Sequence, residues 1–301
     1  MRIGIDLGGT KVEGVVLNDD GVFLVKQRLN TPRGSYTQIL SAITDLITRL
    51  ETEVGARCTV GIGTPGALSP ATGLLRNSNS TELNGRPIKT DLESMLKREI
   101  RIANDANCFA LSEAVDGAAT GAACVFGVIV GTGTGAGVVI NRRVLTGVNA
   151  IAGEWGHNPL PWMREEEMPG ADCYCGKQGC VETFLSGPGL ARDYLGLSGQ
   201  TCTAEVIASR AADGDEIADL VMRRYEERMA RALAHVINIL DPEVIVLGGG
   251  MSNVQRLYAN VPLLWGEFVF SDVVRTRLLA PVHGDSGGVR GAAWLWGDQG
   301  G

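Results

Sequence analysis

Short apolar runs that end in glycine alternate along the chain with longer stretches whose apolar positions recur at helical spacing. Arg2–Leu7 reads as a strand, and the turn Gly8-Gly9-Thr10-Lys11 follows it. Val12–Leu17 and Val22–Gln27 read as second and third strands, split by the turn residues Asn18-Asp19-Asp20-Gly21. Across Ser35–Gly55, the residues Ile39, Leu40, Ile43, Leu46, Ile47 and Leu50 fall on one helical face. Thr59–Gly63 predicts a short strand ending at Thr64-Pro65-Gly66. Asp91–Arg98 predicts a helix, Ile100–Ala103 a strand, and Asn104–Asp116 a further helix.

The second half repeats this order. Val125–Val130 is a strand, a glycine turn spans Gly131–Gly137, and Val138–Asn141 and Val144–Thr146 are further strands. The Ala204–Ile239 region is mostly helical, Val244–Leu247 is a strand, and Gly248-Gly249-Gly250 opens another turn. A strand that meets a Gly/Thr turn, returns as a hairpin and later feeds strands into helices, twice over, predicts a duplicated α/β architecture. Each lobe then carries one mixed sheet, with a cleft between lobes. The expected N-terminal lobe covers residues 1–118 and is joined by an apolar C-terminal helix within 287–301. The second lobe covers 119–286.

Composition narrows the class. Glycine supplies 41 of 301 residues, about twice the ordinary share of roughly 7%. Apolar residues at 45% and charged ones at 20% still allow a buried core, so the excess does not signal disorder. No Gly-X-Y period runs through the chain, which excludes collagen. The glycines therefore mark φ > 0 turns or places where backbone meets a ligand. Gly4, Gly61 and Gly291 are read with the turn glycines as part of such a map.

Twenty-seven basic against 34 acidic residues give a net charge of −7, and no Lys/Arg-rich block suggests nucleic acid or an anionic membrane. Residues 117–141 carry no charge, but seven glycines interrupt them, so a core strand with a turn is the reading rather than a membrane span. The start of the chain lacks the apolar run of a signal peptide. Seven cysteines, three of them within eight residues, suit a reducing cytoplasm with a local metal site better than a disulfide framework.

Candidate chemistry sits on the turns. Asp6-Leu7-Gly8-Gly9-Thr10-Lys11 places an acid at a strand end before two glycines, a hydroxyl and a cation. Backbone N–H groups freed by the glycines can cradle phosphate oxygens, and Asp6 is placed to hold Mg²⁺ through water. Gly-Gly alone is equally an ordinary hairpin turn. Gly131-Thr132-Gly133-Thr134-Gly135-Ala136-Gly137 formally matches a dinucleotide fingerprint, which would make a NAD-dependent dehydrogenase. That motif requires a helix to start inside it, whereas β-branched Val138-Val139-Ile140 continues as a strand. Neither turn has Walker A spacing.

His157, Cys173, Cys175 and Cys180 offer three thiolates and an imidazole, a set that suits a closed, structural Zn²⁺ site. Gly176 and Gly179 let the loop curl around an ion. Glu154 and Glu182 flank this loop, where fixed carboxylates make good acceptors for sugar hydroxyls. Asp105 fits two readings, an N-cap or a base that takes a proton from an attacking hydroxyl.

Taken in order, these motifs resemble the ROK family of sugar kinases and repressors. They are Asp6–Lys11, Gly61–Gly66, Asn104-Asp105-Ala106-Asn107, Gly131–Gly137, Glu154-Trp155-Gly156-His157, Cys173–Glu182 and Val246–Gly250. The resemblance covers essentially the whole chain. It implies an α/β, duplicated actin/hexokinase-type (ribonuclease H-like) fold with ATP between the lobes and sugar below it. By the same resemblance Asp105 is the general base, and Asn104, Glu154, His157 and Glu182 are sugar contacts. His157, Cys173, Cys175 and Cys180 correspond to the zinc ligands. Gly4, Ile5, Asp6, Leu7, Gly8, Gly9, Thr10 and Lys11, together with Gly131–Gly137, correspond to the phosphate turns. Gly248, Gly249 and Gly250 lie near the nucleoside. Ala136 stands where many relatives have glycine.

Asn77–Gly85 and Trp155–Trp162 look like the bacterial fructokinase (mannokinase) branch, with the N-acetylglucosamine kinase branch as the nearest rival. Trp155 and Trp162 also fit plain core positions. The expected reaction is ATP plus fructose giving fructose 6-phosphate and ADP, with Mg²⁺ as cofactor, in a cytoplasmic homodimer. A sugar-sensing repressor of the same family is the different-class alternative. It needs a DNA-binding segment ahead of Arg2, where the first phosphate strand opens.

Overall fold

The computed structural model describes residues 1–78 and 80–297. Asn79, within the fructokinase-like segment, and 298–301, within the expected C-terminal helix, lie outside the described residues. The first sheet has the order β3-β2-β1-β4-β7. Its strands are β1 (Arg2–Leu7), β2 (Lys11–Leu17), β3 (Phe23–Asn30), β4 (Thr59–Thr64) and β7 (Arg101–Asn104). The short pair β5 (Ala67–Leu68) and β6 (Leu75–Arg76) stands apart from it. β1, β2 and β3 form an antiparallel meander with Asp6 opposite Glu13, while β4 runs parallel to both β1 and β7.

Helix α1 (Tyr36–Val54) starts where the Ser35 side chain accepts from Gln38 N, and stops at Gly55 with φ 65°. Its predicted apolar face is buried in one core with Ile3, Ile5, Val12, Val16, Val60 and Ile62. Helix α2 (Ile88–Leu96) opens earlier than its apolar pattern predicts and ends at left-handed Lys97, while α3 (Asp105–Asp116) follows β7 directly.

The second sheet repeats the scheme as β10-β9-β8-β11-β12. It is built from β8 (Cys124–Val130), β9 (Thr134–Ile140), β10 (Arg143–Val144), β11 (Val244–Gly248) and β12 (Arg277–Leu279). The outer strand expected at Val144–Thr146 is thus shorter and earlier. Between these strands come α4 (Val181–Leu185), α5 (Gly187–Ser198), α6 (Ala204–Ala212) and α7 (Glu216–Leu240), with α8 (Arg256–Leu264) following β11. The expected continuous helical region breaks at Asp213-Gly214-Asp215, where Gly214 takes φ 93° and the Asp215 side chain caps α7. Glu167, only 6% exposed, binds Arg228 and Arg231 from α7. Burial alone would raise its carboxyl, but these partners hold it at about 2.

Two compact units emerge. One comprises Met1–Gly121, Gly137–Ala152 and the chain from His283 on; the other comprises Ala122–Ala136 and Gly153–Val282. In the first, helix α9 (Gly287–Trp294) packs against β1, β4 and α3. A Cβ on Gly4 would stand 2.0 Å from Val289 O, one on Gly61 1.8 Å from Ala292 O, and one on Gly291 1.6 Å from Cys108 O. Gly4 and Gly61 let the backbone of α9 approach the sheet and Gly291 lets it approach α3, a packing role that their reading as ligand-facing positions did not anticipate. Asp116 fixes the same helix by accepting from Arg290, Trp294 Nε1 and His283 Nε2. Among the described residues no helix is long and apolar enough to cross a membrane.

Candidate active site

In the first unit the phosphate-type turn is shorter than its motif. Ile5 and Leu7 point from β1 into the core, Gly4 lies on the opposite face against α9, and Lys11 already opens β2. The turn itself is Gly8-Gly9-Thr10, closed by Gly8 N donating to Lys11 O at 2.9 Å. Thr31 braces it from outside, with its N–H on Thr10 O at 3.0 Å and its hydroxyl on Gly8 O at 2.7 Å.

Asp6 sits at the end of β1 in an acidic neighbourhood. Burial first, then Asp105 and Glu13, push its carboxyl from the ordinary 3.8 to about 6, with Lys11 opposing. Glu13 is held below the usual range, because Arg28 and Lys26 outweigh its own burial. A buried carboxyl whose ionised form is opposed by a second carboxylate is a donor set that a divalent cation relieves.

The two readings of Asp105 separate here. Asn104 is the cap of α3, its Oδ1 accepting Ala106 N at 2.8 Å; Asp105 is the first residue inside the helix, with an exposed side chain whose Oδ1 shares that N–H at 2.8 Å. The Asn104 amide reaches Gly66 O at 3.4 Å, so this residue ties the helix start to the turn after β4. Below them, burial pushes the Cys108 thiol well up, which leaves it inert at neutral pH.

The second turn belongs, up to Ala136, to the other unit, and it too is shorter than expected. β9 begins at Thr134, so Gly135, Ala136 and Gly137 are strand residues, and the turn proper is Gly131-Thr132-Gly133. Gly131 N donates to Gly133 O at 2.9 Å, and Gly187 N donates to Gly131 O at 2.7 Å. Glu182, expected to offer its carboxylate to sugar, accepts Thr134 N on Oε2 at 2.8 Å. Sequence reasoning had no route to this bond, whose partners are 48 positions apart.

The Cys/His motif does come together. The Nδ1 or Nε2 of His157 and the sulfurs of Cys173, Cys175 and Cys180 lie within 4.8 Å of one another. His157 Nδ1 is 3.5 Å from Cys173 Sγ, and Cys175 Sγ is 3.6 Å from Cys180 Sγ. Three sulfurs and a nitrogen converging in this way fit tetrahedral Zn²⁺. Gly176 at φ 84° and Gly179 at φ 68° turn the loop, as their spacing predicts. The far nitrogen of the ring, His157 Nε2, lies 2.9 Å from the Tyr174 hydroxyl, a partner the sequence did not suggest. Glu154 is exposed just ahead of the short Trp155–His157 turn of helix. Trp155 is a core residue set edge-on to Phe126, while Trp162 is half exposed.

A cavity of about 870 Å³ in the second unit joins the turn residues Gly131 and Thr132 to Gly250. Gly248 closes β11 in the interior, and Gly249, at φ 76°, lies against Val130 O, where a Cβ would come within 2.4 Å. The remaining wall was missed in the sequence: Pro188 and Ala191 of α5, Ala204, Ala208 and Ala212 of α6, and Met251 and Arg256 after β11. The signal was present as alanines spaced four apart on one face of α6. Small side chains there leave room for a flat, largely apolar group.

Sugar kinases of the actin/hexokinase type are the class that this duplicated fold with two glycine turns defines. The chain belongs to the ROK family, whose model matches residues 2–299. It is 39% identical to the N-acetyl-D-glucosamine kinase of Pasteurella multocida (strain Pm70), over 98% of this chain and 99% of that one. It is likewise 39% identical to the N-acetyl-D-glucosamine kinase of Haemophilus influenzae (strain 86-028NP), with 98% and 99% covered. Among solved structures it superposes on the ROK hexokinase of Thermus thermophilus with a TM-score of 0.87, at 30% identity over 98% of this chain and 97% of that one. A ROK family glucokinase of Streptomyces griseus, solved with glucose and AMPPNP, superposes with a TM-score of 0.75 at 26% identity, covering 98% of both chains.

Proposed function

We propose that this sugar kinase transfers the γ-phosphoryl group of ATP to the 6-hydroxyl of N-acetyl-D-glucosamine. The observation that carries the substrate is the full-length likeness to relatives named as N-acetyl-D-glucosamine kinases, at 36–39% identity. The expectation of fructose, drawn from Asn77–Gly85 and Trp155–Trp162, gives way to its rival.

Asp105 takes the proton of the attacking hydroxyl; its place at the start of α3, with an exposed side chain whose Oδ1 is oriented by Ala106 N at 2.8 Å, suits that task. Asn104, Glu154 and His157 contact the sugar. Glu182 belongs to the same group by family position, although its Oε2 is engaged at Thr134. Gly8–Lys11 and Gly131–Gly133 bind phosphates through backbone N–H groups, and the cavity under α6 takes the nucleoside. Asp6 would hold Mg²⁺, which neutralises charge developing on the phosphate oxygens when bound. His157, Cys173, Cys175 and Cys180 would hold Zn²⁺ as a structural ion, keeping His157 and Glu182 in place. The reading extends to a homodimer, which light scattering of the purified chain checks.

The test is a coupled ADP-release assay with N-acetyl-D-glucosamine, fructose, mannose and glucose. The highest kcat/KM is expected for N-acetyl-D-glucosamine. A fructose value tenfold higher would return the chain to the fructokinase branch, and no ADP release with any sugar would remove the kinase reading itself.

A further inference from the structure

The Glu182 carboxylate stands at the meeting of three segments of the second unit, and its contacts point away from a purely sugar-facing role. It follows the metal-loop residue Cys180 by two positions, on the short helix α4. Cys180 is itself fixed: its carbonyl accepts Thr183 N at 2.8 Å and the Thr183 hydroxyl at 2.7 Å, and its neighbour Val181 donates to Asn158 O at 2.8 Å. From this anchored start Glu182 Oε2 reaches the backbone N–H of Thr134 at 2.8 Å. Thr134 is the first residue of β9, directly after the phosphate-type turn, and is 5% exposed.

The turn is shaped to receive that carboxylate. A Cβ on Gly133 would lie 2.7 Å from Glu182 Oε2, so any other residue there would push the carboxylate off the backbone. On the other side, Gly187 N holds Gly131 O at 2.7 Å. The turn is thus gripped at both ends by residues of one segment, Glu182 and Gly187, which runs straight out of the Cys173–Cys180 loop. A hydrogen bond from a backbone N–H to a carboxylate is among the stronger ones a fold can place on a turn.

We propose that Glu182 is a positioning residue for the nucleotide phosphates: it sets the shape of the Gly131–Gly133 turn before any sugar arrives, and it links that shape to the metal loop. This inference rests on the kinase reading and deepens it. A residue that only contacts sugar has no effect on nucleotide binding in sugar-free protein. A residue that shapes the phosphate turn does.

The experiment is calorimetric titration of the full chain, without sugar, with ADP and separately with adenosine. The parent is compared with Glu182→Ala, Glu182→Gln and Gly133→Ala. ADP affinity is expected to fall about tenfold in Glu182→Ala and in Gly133→Ala, the size of one charge-assisted hydrogen bond, and less in Glu182→Gln, whose amide oxygen still accepts. Adenosine, which carries no phosphate, is expected to bind all four proteins alike. The double variant Glu182→Ala/Gly133→Ala should lose little beyond either single change, since both act through one contact. Parental ADP affinity in Glu182→Ala together with weakened sugar binding would overturn the proposal and leave Glu182 a sugar contact. Equal losses for ADP and adenosine would overturn it too, as a general loosening of the unit. If Glu182→Ala does not fold, Gly133→Ala and Glu182→Gln carry the same comparison. A parent that binds no ADP indicts the kinase reading instead.

Discussion

The two glycine turns descend from equivalent hairpins, yet they are held in different ways. The Gly8–Thr10 turn is braced by Thr31, from the end of the same meander, and its surroundings are acidic: Asp6, Glu13 and Asp105. The Gly131–Gly133 turn is braced by Glu182 and Gly187, which come from beyond the Cys/His loop, and it opens onto an 870 Å³ cavity lined by small residues. One copy has kept its support local and gathered carboxylates. The other takes its support from beyond the Cys/His loop and borders a cavity. Duplication thus preserved the hairpin while the chemistry around it diverged.

The largest effect that can break this division is at Asp105. If proton transfer belongs to the first unit, Asp105→Ala lowers kcat by about 10²–10⁴-fold with the circular dichroism spectrum unchanged. Turnover within a few-fold of the parent would put the base elsewhere.

Asp6 sharpens the same point through stability. Its raised carboxyl means that the folded protein keeps a proton that the unfolded chain has released between pH 3.8 and about 6, so stability falls as pH rises through that window. Asp6→Asn should therefore stabilise the metal-free protein at pH 7 by on the order of 3 kcal/mol, with the gain vanishing near pH 4. The same variant should lose Mg²⁺-dependent turnover. Urea unfolding at the two pH values checks the first part, and equal stabilisation at both would refute it.

Tyr174→Phe acts only on the second unit. Loss of the hydroxyl at His157 Nε2 is expected to lower zinc affinity about 10–100-fold, read by competition with a chromogenic chelator. Zinc retention equal to the parent's would separate Tyr174 from the metal. The smallest expected effect is Thr31→Val, which removes one buried hydroxyl bond from the first turn at a cost of about 1 kcal/mol in urea unfolding. ADP affinity at the second turn should not change.

What could be read from the sequence were features that depend on neighbours in the chain. The apolar face Ile39–Leu50 of α1 was legible from its period, the hairpin at Val138–Ile140 from β-branching, and the Cys/His site from its spacing. What escaped were features set by tertiary approach. Both glycine turns were read too long, because strand pairing recruits Lys11 at one and Thr134–Gly137 at the other. Asn104 and Asp105 exchange the cap expected of the pair, a choice made by backbone angles that composition does not fix. Glu182 was expected beside sugar, and its bond to a backbone N–H 48 positions away left no mark in the local pattern. Gly4, Gly61 and Gly291 were grouped with backbone that meets a ligand, whereas close packing of α9 requires them.

Helix α9 carries a consequence for how the chain reaches its native state. The faces of β1 and β4 that it covers are synthesised long before it, and their glycines leave a groove that only a closely approaching helix backbone fills. The first unit therefore has no complete core until the chain beyond His283 has left the ribosome. Closing contacts of such long sequence separation makes this docking a slow, late event. A nascent chain stalled before α9 would present an open sheet face to chaperones or to other nascent chains. Residues 1–121 expressed alone would share that fate, so this lobe is an assembly of distant segments and not a module that evolution could cut and paste.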